Sequence, residues 1–247
     1  MSHGGRRRSA RAALAATCLV VLACHVAPVL AGKVEAGVAL SSDYVVRGLT
    51  RSLGEPAVQA QLGWTGDRGW TTGVWASTVN LNPGPGPTRE LDLYAGRRWS
   101  VGKDWAFHSE LTGYTFGPKT SERAYNYAEL RGAMSFRDCV EIAMAWSPDY
   151  TASSLWGYTH EQAALTYEAS ARFPANRWLT FNGGAGHLSM QGFQAASYWY
   201  WSAGAELGLD RVSLAMNYIG TSRAALEYYG SPLAGSRVAA TLTVRIR

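Results

Sequence analysis

Charged side chains recur in segments that alternate between apolar and polar residues. Successive side chains of a strand point to opposite sides, so such a segment has one apolar and one polar face. The polar faces carry nine acidic residues, four arginines and one histidine: Glu35, Asp43, Arg47, Glu90, Asp92, His108, Glu110, Glu129, Arg131, Glu141, Glu168, Glu206, Arg237 and Arg245. Carboxylates around a narrow passage of low dielectric attract cations and repel anions. The pattern predicts a passage for small cationic or neutral solutes.

Seven of these residues form the predicted constriction: Asp43, Arg47, Glu90, Asp92, Glu110, Glu129 and Arg131. Asp43 and Arg47 fall on one strand about 13 Å apart, too far to pair with each other, so each needs a partner on a neighbouring strand. A second interpretation stays open, in which the arginines pair with the acids and fill the interior as a buried ionic network.

Catalytic and metal-binding patterns are sparse. His187-Leu188-Ser189 has the spacing of a lipid-facing His-x-Ser pair in some lipid A deacylases, and a serine activated by a histidine base performs acyl transfer. No orienting acid lies nearby in the sequence, so we do not expect an enzyme. His108, His160 and His187 fall on different strands without metal-ligand spacing, and Cys139 lies at a turn. We expect no metal, no cofactor and no nucleotide site.

Repetition of the alternating segment determines the fold class. Twelve candidate strands occur, at 33–47, 56–65, 70–80, 89–98, 105–116, 125–135, 139–147, 158–169, 177–187, 198–209, 211–219 and 236–246. Short connections alternate with longer ones rich in Pro, Gly and Ser, as in an up-and-down barrel with short periplasmic turns. The sequence therefore predicts an all-β protein, a transmembrane antiparallel up-and-down β-barrel of about 12 strands.

Aromatic residues support this prediction by their position along the strands. Trp64, Trp70, Trp99, Trp105 and Trp178 flank the short turns, whereas a second set lies toward the long loops: Tyr114, Phe116, Tyr125, Trp146, Tyr158, Tyr198 and Tyr218. Two aromatic girdles, one at each membrane interface, are typical of outer-membrane barrels.

The first 31 residues read as a secretory signal peptide. Arg6, Arg7, Arg8 and Arg11 precede an apolar run, and small residues follow at its end near Ala31. Of the 23 basic and 18 acidic residues of the chain, four arginines and no acid fall before residue 32, so the remainder is nearly neutral. We therefore expect no nucleic-acid partner. The predicted organisation is a signal peptide at 1–31 and an outer-membrane barrel at 32–247, with outer-membrane lipid, the barrel-assembly machinery and small solutes as partners.

Five motifs along the chain carry a family resemblance: Ser42–Gly48, Gly73–Ser77, Glu90–Gly96, Asn126–Glu129 and Ser147–Tyr150. Together they resemble the TorF-type porins of proteobacteria, long catalogued as "Gcw" proteins of unknown function. The resemblance implies an outer-membrane barrel. The chain departs from such barrels at its last residues, Val244-Arg245-Ile246-Arg247, where an aromatic residue is common. An adhesin or structural barrel, with its function in the loop Thr221–Gly235, is the remaining alternative.

Overall fold

The computed structural model describes residues 32–81, 86–118, 125–153, 159–190 and 197–246, and the side chains of 151–153 and 159–161 are outside this description. The predicted signal peptide at 1–31 lies outside the described residues. The elements, in chain order, are β1 (Gly32–Ser41), β2 (Val45–Val46), β3 (Leu49–Thr50), β4 (Ala57–Gly66), β5 (Trp70–Thr78), β6 (Arg89–Val101), β7 (Trp105–Gly117), β8 (Tyr127–Phe136), β9 (Val140–Ser153), β10 (Thr159–Pro174), β11 (Leu179–Met190), β12 (Ser197–Leu209), β13 (Val212–Thr221), α1 (Arg223–Tyr229) and β14 (Arg237–Ile246).

Twelve of the strands form one closed antiparallel barrel. Each barrel strand pairs with its neighbours in the chain, and β1 closes the ring by pairing with both β4 and β14. The predicted twelve-stranded up-and-down barrel is confirmed. Closure leaves no open sheet edge, since every barrel strand has two neighbours. In the described part of the chain, no helix has the length and apolar character needed to cross a membrane.

The two faces of the barrel differ as the alternation predicts. Apolar side chains at alternate positions point outward and are exposed, for example Leu93 at 62% and Ile142 at 59%. Their neighbours Asp92 and Glu141 face the interior, and Asp92 is buried. The outer surface is thus an apolar band, and the interior surface is polar and charged.

The two ends of the barrel differ in their connections. Tight turns join β4 to β5, β6 to β7, β8 to β9, β10 to β11 and β12 to β13, and these turns define the short-turn end. At the turn between β8 and β9, Arg137 and Asp138 both have positive φ, of 50° and 52°, and the N–H of Cys139 donates to the Phe136 carbonyl, which closes a tight turn. The longer connections lie at the opposite end, here called the long-loop end.

The predicted outer aromatic girdle is partly wrong. Trp146 and Tyr218 are half exposed on the outer surface as expected, but four other members face the interior, and Tyr158 lies outside the described residues: the four are Tyr114, Phe116, Tyr125 and Tyr198. Tyr114, Phe116 and Tyr198 occupy strand positions on the same face as the inward charged residues, and Tyr125 lies just before β8. They pack inside the long-loop end of the barrel, whereas a girdle residue would lie on the outer surface in contact with lipid.

The first predicted strand, 33–47, is also too long. β1 ends at Ser41, and the following residues turn inward and form the small hairpin β2–β3. Asp43 and Arg47 therefore do not share the face of one barrel strand. Segment 42–55, here called the inner hairpin, lies within the long-loop end of the barrel, because its side chains contact several different strands of the wall.

Candidate functional site in the barrel lumen

A two-residue turn forms the tip of the inner hairpin. Val46 pairs with Leu49, and the intervening Arg47 and Gly48 both have positive φ, of 51° and 80°. This is the backbone that tight hairpin turns require, and glycine adopts it without strain. A Cβ atom on Gly48 would clash with the Cγ2 atom of Thr221, so the tip packs directly against the wall at β13.

Arg47 connects the tip of the hairpin to the opposite wall. Its Nη1 and Nη2 atoms donate to the two carboxylate oxygens of Glu129 on β8, at 2.7 and 2.8 Å. Only 10% of the Arg47 side chain and 5% of the Glu129 side chain are exposed. The Nε atom of Arg47 lies 3.9 Å from Glu168 on β10, and its guanidinium lies 6.0 Å from the centre of the Tyr150 ring. The buried, bidentate pair holds the hairpin across the lumen.

Arg51 makes a second buried attachment. It donates one hydrogen bond to Glu90 on β6 and another, of 2.7 Å, to the hydroxyl of Tyr127 on β8. Its guanidinium also lies 5.5 Å from the ring centre of Phe116 and 5.8 Å from that of Tyr114. Cation–π contacts of this kind are stronger where water is excluded.

Asp43 attaches the base of the hairpin to the last strand. One of its carboxylate oxygens accepts hydrogen bonds from the hydroxyls of Thr50 and Ser52, and the other accepts from Arg237 on β14 at 3.0 Å. The base, middle and tip of the inner hairpin are therefore each fixed to the wall by a buried ion pair.

Aromatic and aliphatic side chains fill the remaining space at the long-loop end. The ring of Tyr229 on α1 packs edge-on against Tyr198, with centres 5.6 Å apart, and both side chains are buried. Leu233 lies in the same cluster, and its carbonyl accepts a hydrogen bond from the backbone N–H of Thr50. The proposed adhesive loop Thr221–Gly235 is thus partly folded into the interior of the barrel.

The structure places the seven predicted residues in different local settings. Asp43, Arg47, Glu90 and Glu129 take part in attaching the inner hairpin. Arg131 donates to Glu141 at 2.5 Å, nearer the short-turn end. Asp92 and Glu110 face the lumen, and among the described residues neither forms an ion pair with a lysine or arginine.

Four basic residues near the inward acids do not appear in the sequence prediction, so the predicted acidic excess of the interior is too large. Arg98 is the last residue of the strand predicted at 89–98 and pairs with Asp138, and Arg172 lies where β10 extends beyond its predicted end and pairs with Glu206. Arg51 lies in what reads as a loop, and Lys33 pairs with Glu35. The inward face of Asp92 along the predicted strand already includes Arg98, and the inward alternation of β10, continued to the next turn, would have identified Arg172.

A cavity of about 260 Å³ lies beside the tip of the hairpin on the side facing β8 to β13. Charged side chains line it, together with one tyrosine: Arg47, Arg131, Glu141, Glu168 and Tyr200. A second cavity of about 250 Å³, lined in part by Arg98 and Arg172, lies near the short turn at Cys139.

The His187-x-Ser189 pair lies near the outer end of β11. The imidazole of His187 packs against the ring of Trp199, with ring centres 4.7 Å apart and planes tilted by 49°, and the hydroxyl of Ser189 accepts a hydrogen bond from Ser197 at 3.4 Å. Both side chains thus have partners on β12. The side chain of His160 lies outside the described residues, and within the described ranges no three His, Cys, Asp or Glu side chains are placed to hold a metal ion.

Solved structures with the same fold include two porins. The chain superposes on the porin NanC with a TM-score of 0.54 at 11% sequence identity, covering 87% of this chain and 98% of NanC. It superposes on the porin KdgM, solved in complex with disordered oligogalacturonate, with a TM-score of 0.50 at 8% identity, covering 87% of this chain and 99% of KdgM. No curated protein sequence matches the chain. Residues 28–247 match a family model described as "Bacterial protein of unknown function (Gcw_chp)".

Proposed function

From the premise that this chain belongs to the Gcw_chp family of bacterial proteins of unknown function, we propose that it is an outer-membrane diffusion channel for small cationic or neutral solutes. Within that family, the motifs at Ser42–Gly48 and Glu90–Gly96 support a place among the TorF-type porins. The segment 1–31 serves as its export signal in this proposal, and the channel acts without catalysis.

The observation that carries the proposal is a closed barrel with an apolar outside and a charged inside. Exposed leucine, isoleucine and valine side chains around the whole barrel would be costly in water but are suited to lipid. Interior ion pairs and cavities provide polar surface along the axis. The inner hairpin crosses this interior and narrows it, which favours small solutes over large ones.

Two carboxylates support the cation preference. Asp92 and Glu110 lack a lysine or arginine partner in the described part of the chain, and one oxygen of Asp92 has no hydrogen-bond partner there. Most of the other inward acids pair closely with a basic side chain, and the exception is Glu168, which lies 3.9 Å from its nearest arginine nitrogens. The field along the β6–β7 side of the lumen is negative when these carboxyl groups are ionised, and it then lowers the energy of a passing cation.

The test is a planar-bilayer recording from the refolded protein across a KCl gradient. We expect discrete current steps with a reversal potential of the sign for cations, and a smaller reversal potential when the charges of Asp92 and Glu110 are reversed. Asp67→Lys, at the exposed turn between β4 and β5, is the control with the same charge change outside the lumen. Reversal potentials that do not change in the lumen variants would contradict the assignment of these residues.

A non-conducting structural barrel is the second candidate, favoured by the inner hairpin and the buried aromatic cluster at the long-loop end. The same recordings separate the two functions. A correctly folded barrel that produces no current steps at any voltage would support the structural role and rule out the channel function.

A further inference from the structure

The cavity beside the hairpin tip has the dimensions of a small-molecule site. Its volume of about 260 Å³ is near the lower end of ligand pockets, which are roughly 300–1,000 Å³. Its lining combines charged groups with apolar surface from Val45, Ala143 and Ile219. A compact solute with one polar end and a short aliphatic body matches this lining.

Glu168 is the least neutralised charge in this cavity. Its Oε1 atom accepts a hydrogen bond from the Tyr200 hydroxyl at 2.7 Å. The nearest basic atoms are the Nε atoms of Arg47 and Arg131, each 3.9 Å away and too distant for a hydrogen bond. The side chain of Glu168 is 29% exposed, so its carboxylate remains open to a ligand.

Both arginines are committed to other carboxylates. Arg47 donates two hydrogen bonds to Glu129, and Arg131 donates to Glu141 at 2.5 Å. Two cations are thus surrounded by three carboxylates, which leaves the group with one net negative charge. A ligand anion would have to displace an existing partner, whereas a ligand cation supplies the charge that is lacking.

We propose that Glu168 and Tyr200 form a binding site for the primary ammonium group of a small aliphatic amine. An ammonium has three N–H donors, and the site supplies the Glu168 carboxylate, the Tyr200 hydroxyl oxygen and the hydroxyl groups of Ser170 and Ser202, which also line the cavity. This inference rests on the proposed function and specifies it, because it names the class of cation that binds within the lumen.

Binding is measured directly, without any need for conduction. The barrel, refolded in detergent micelles, is titrated calorimetrically with 4-amino-1-butanol and with 1,4-butanediol, which has the same chain length but no charge. We expect saturable binding of the amine and at least tenfold weaker binding of the diol. Glu168→Gln retains the acceptor for Tyr200 but removes the charge, and it should weaken amine binding about tenfold or more. Tyr200→Phe should weaken it by a smaller factor.

Glu206→Gln is the matched control. Glu206 is another interior carboxylate, held between Arg172 and Arg245 outside this cavity, and its change should alter amine affinity less than twofold. The site would be overturned if the amine and the diol bound equally well. It would also be overturned if amine affinity were unchanged in both Glu168→Gln and Tyr200→Phe, or if Glu168→Gln and Glu206→Gln lost the same amount of affinity. A barrel that binds the amine but never conducts would overturn the channel and leave the site. A barrel that conducts but binds no amine would overturn the site and leave the channel.

Discussion

Breaking the Arg47–Glu129 pair gives a quantitative test of how the inner hairpin is held. Both side chains are nine-tenths buried and share two hydrogen bonds. Removing one partner of a buried pair leaves an uncompensated charge and costs about 3–5 kcal/mol. Arg47→Ala leaves Glu129 with no other basic partner in the described residues, so we expect that full cost in the free energy of unfolding.

Glu129→Ala should cost less, because Arg47 retains Glu168 at 3.9 Å and a small side-chain movement can re-form an ion pair there. We expect about 1–3 kcal/mol for this variant. The double variant has no buried charge left over, so its destabilisation should be smaller than the sum of the single effects. A coupling energy of roughly 1–3 kcal/mol is expected for groups in such direct contact.

Unfolding in urea, followed by tryptophan fluorescence of the barrel in micelles, gives the three free energies by linear extrapolation. Arg223 and Glu227 on α1 are the matched control, since they form an exposed pair four residues apart. Their coupling should be no more than about 0.5 kcal/mol. The attachment of the inner hairpin through this pair would be refuted if the losses in unfolding free energy of Arg47→Ala and Glu129→Ala simply added in the double variant. Equal losses in the two single variants would refute it as well.

Two further predictions concern the turn and the outer surface. Gly48→Ala should destabilise the barrel by more than Gly54→Ala in the same urea assay: both glycines have φ near +80°, but a Cβ at Gly48 meets the wall and one at Gly54 meets open space. Leu111→Arg, at the middle of the outward face of β7, should cost about 2–4 kcal/mol in lipid bilayers, whereas Thr115→Arg near the end of the same strand should cost about 0–1 kcal/mol. The arginine variants are measured by unfolding in lipid vesicles. Equal losses of unfolding free energy in the two glycine variants, or in the two arginine variants, would contradict these predictions.

The strands were predictable because their pattern is local. Val58, Leu62 and the residues between them alternate without interruption, and the segment predicted at 56–65 is observed as Ala57–Gly66. A strand that must be apolar toward lipid and polar toward the interior has its register determined by this alternation. Each strand therefore carries enough information for its own assignment.

The inward direction of the hairpin was not predictable in this way. Val46, Leu49 and the intervening Arg47-Gly48 do indicate a tight turn, but a turn alone does not tell which way the chain folds. The direction depends on Glu129, which is 82 residues away in the chain. An isolated sequence contains no sign of this pairing, and the alternation of β1 continues smoothly enough into Asp43 to conceal the end of the strand.

Aromatic residues illustrate the same limit. Tyr198 and Trp199 are neighbours on β12, yet Tyr198 is 1% exposed in the interior and Trp199 is 57% exposed on the outside. Position along the strand predicts nearness to the long-loop end for both. Only the face of the strand separates a girdle residue from a core residue, and applying the inward register of Glu206 to the whole of β12 would have made the distinction.

The attachment of the inner hairpin to β14 has a consequence for the order of folding. Asp43 pairs with Arg237, and Ser41 bonds to Thr241, across nearly the whole length of the barrel sequence. These contacts have very high sequence separation, so they form late, when the ends of the sheet meet. The base of the hairpin therefore gains its anchor in the same event that closes the ring. An assembly intermediate that lacks β14 would have an unanchored hairpin base, and its protease sensitivity near Asp43 would report the timing of closure.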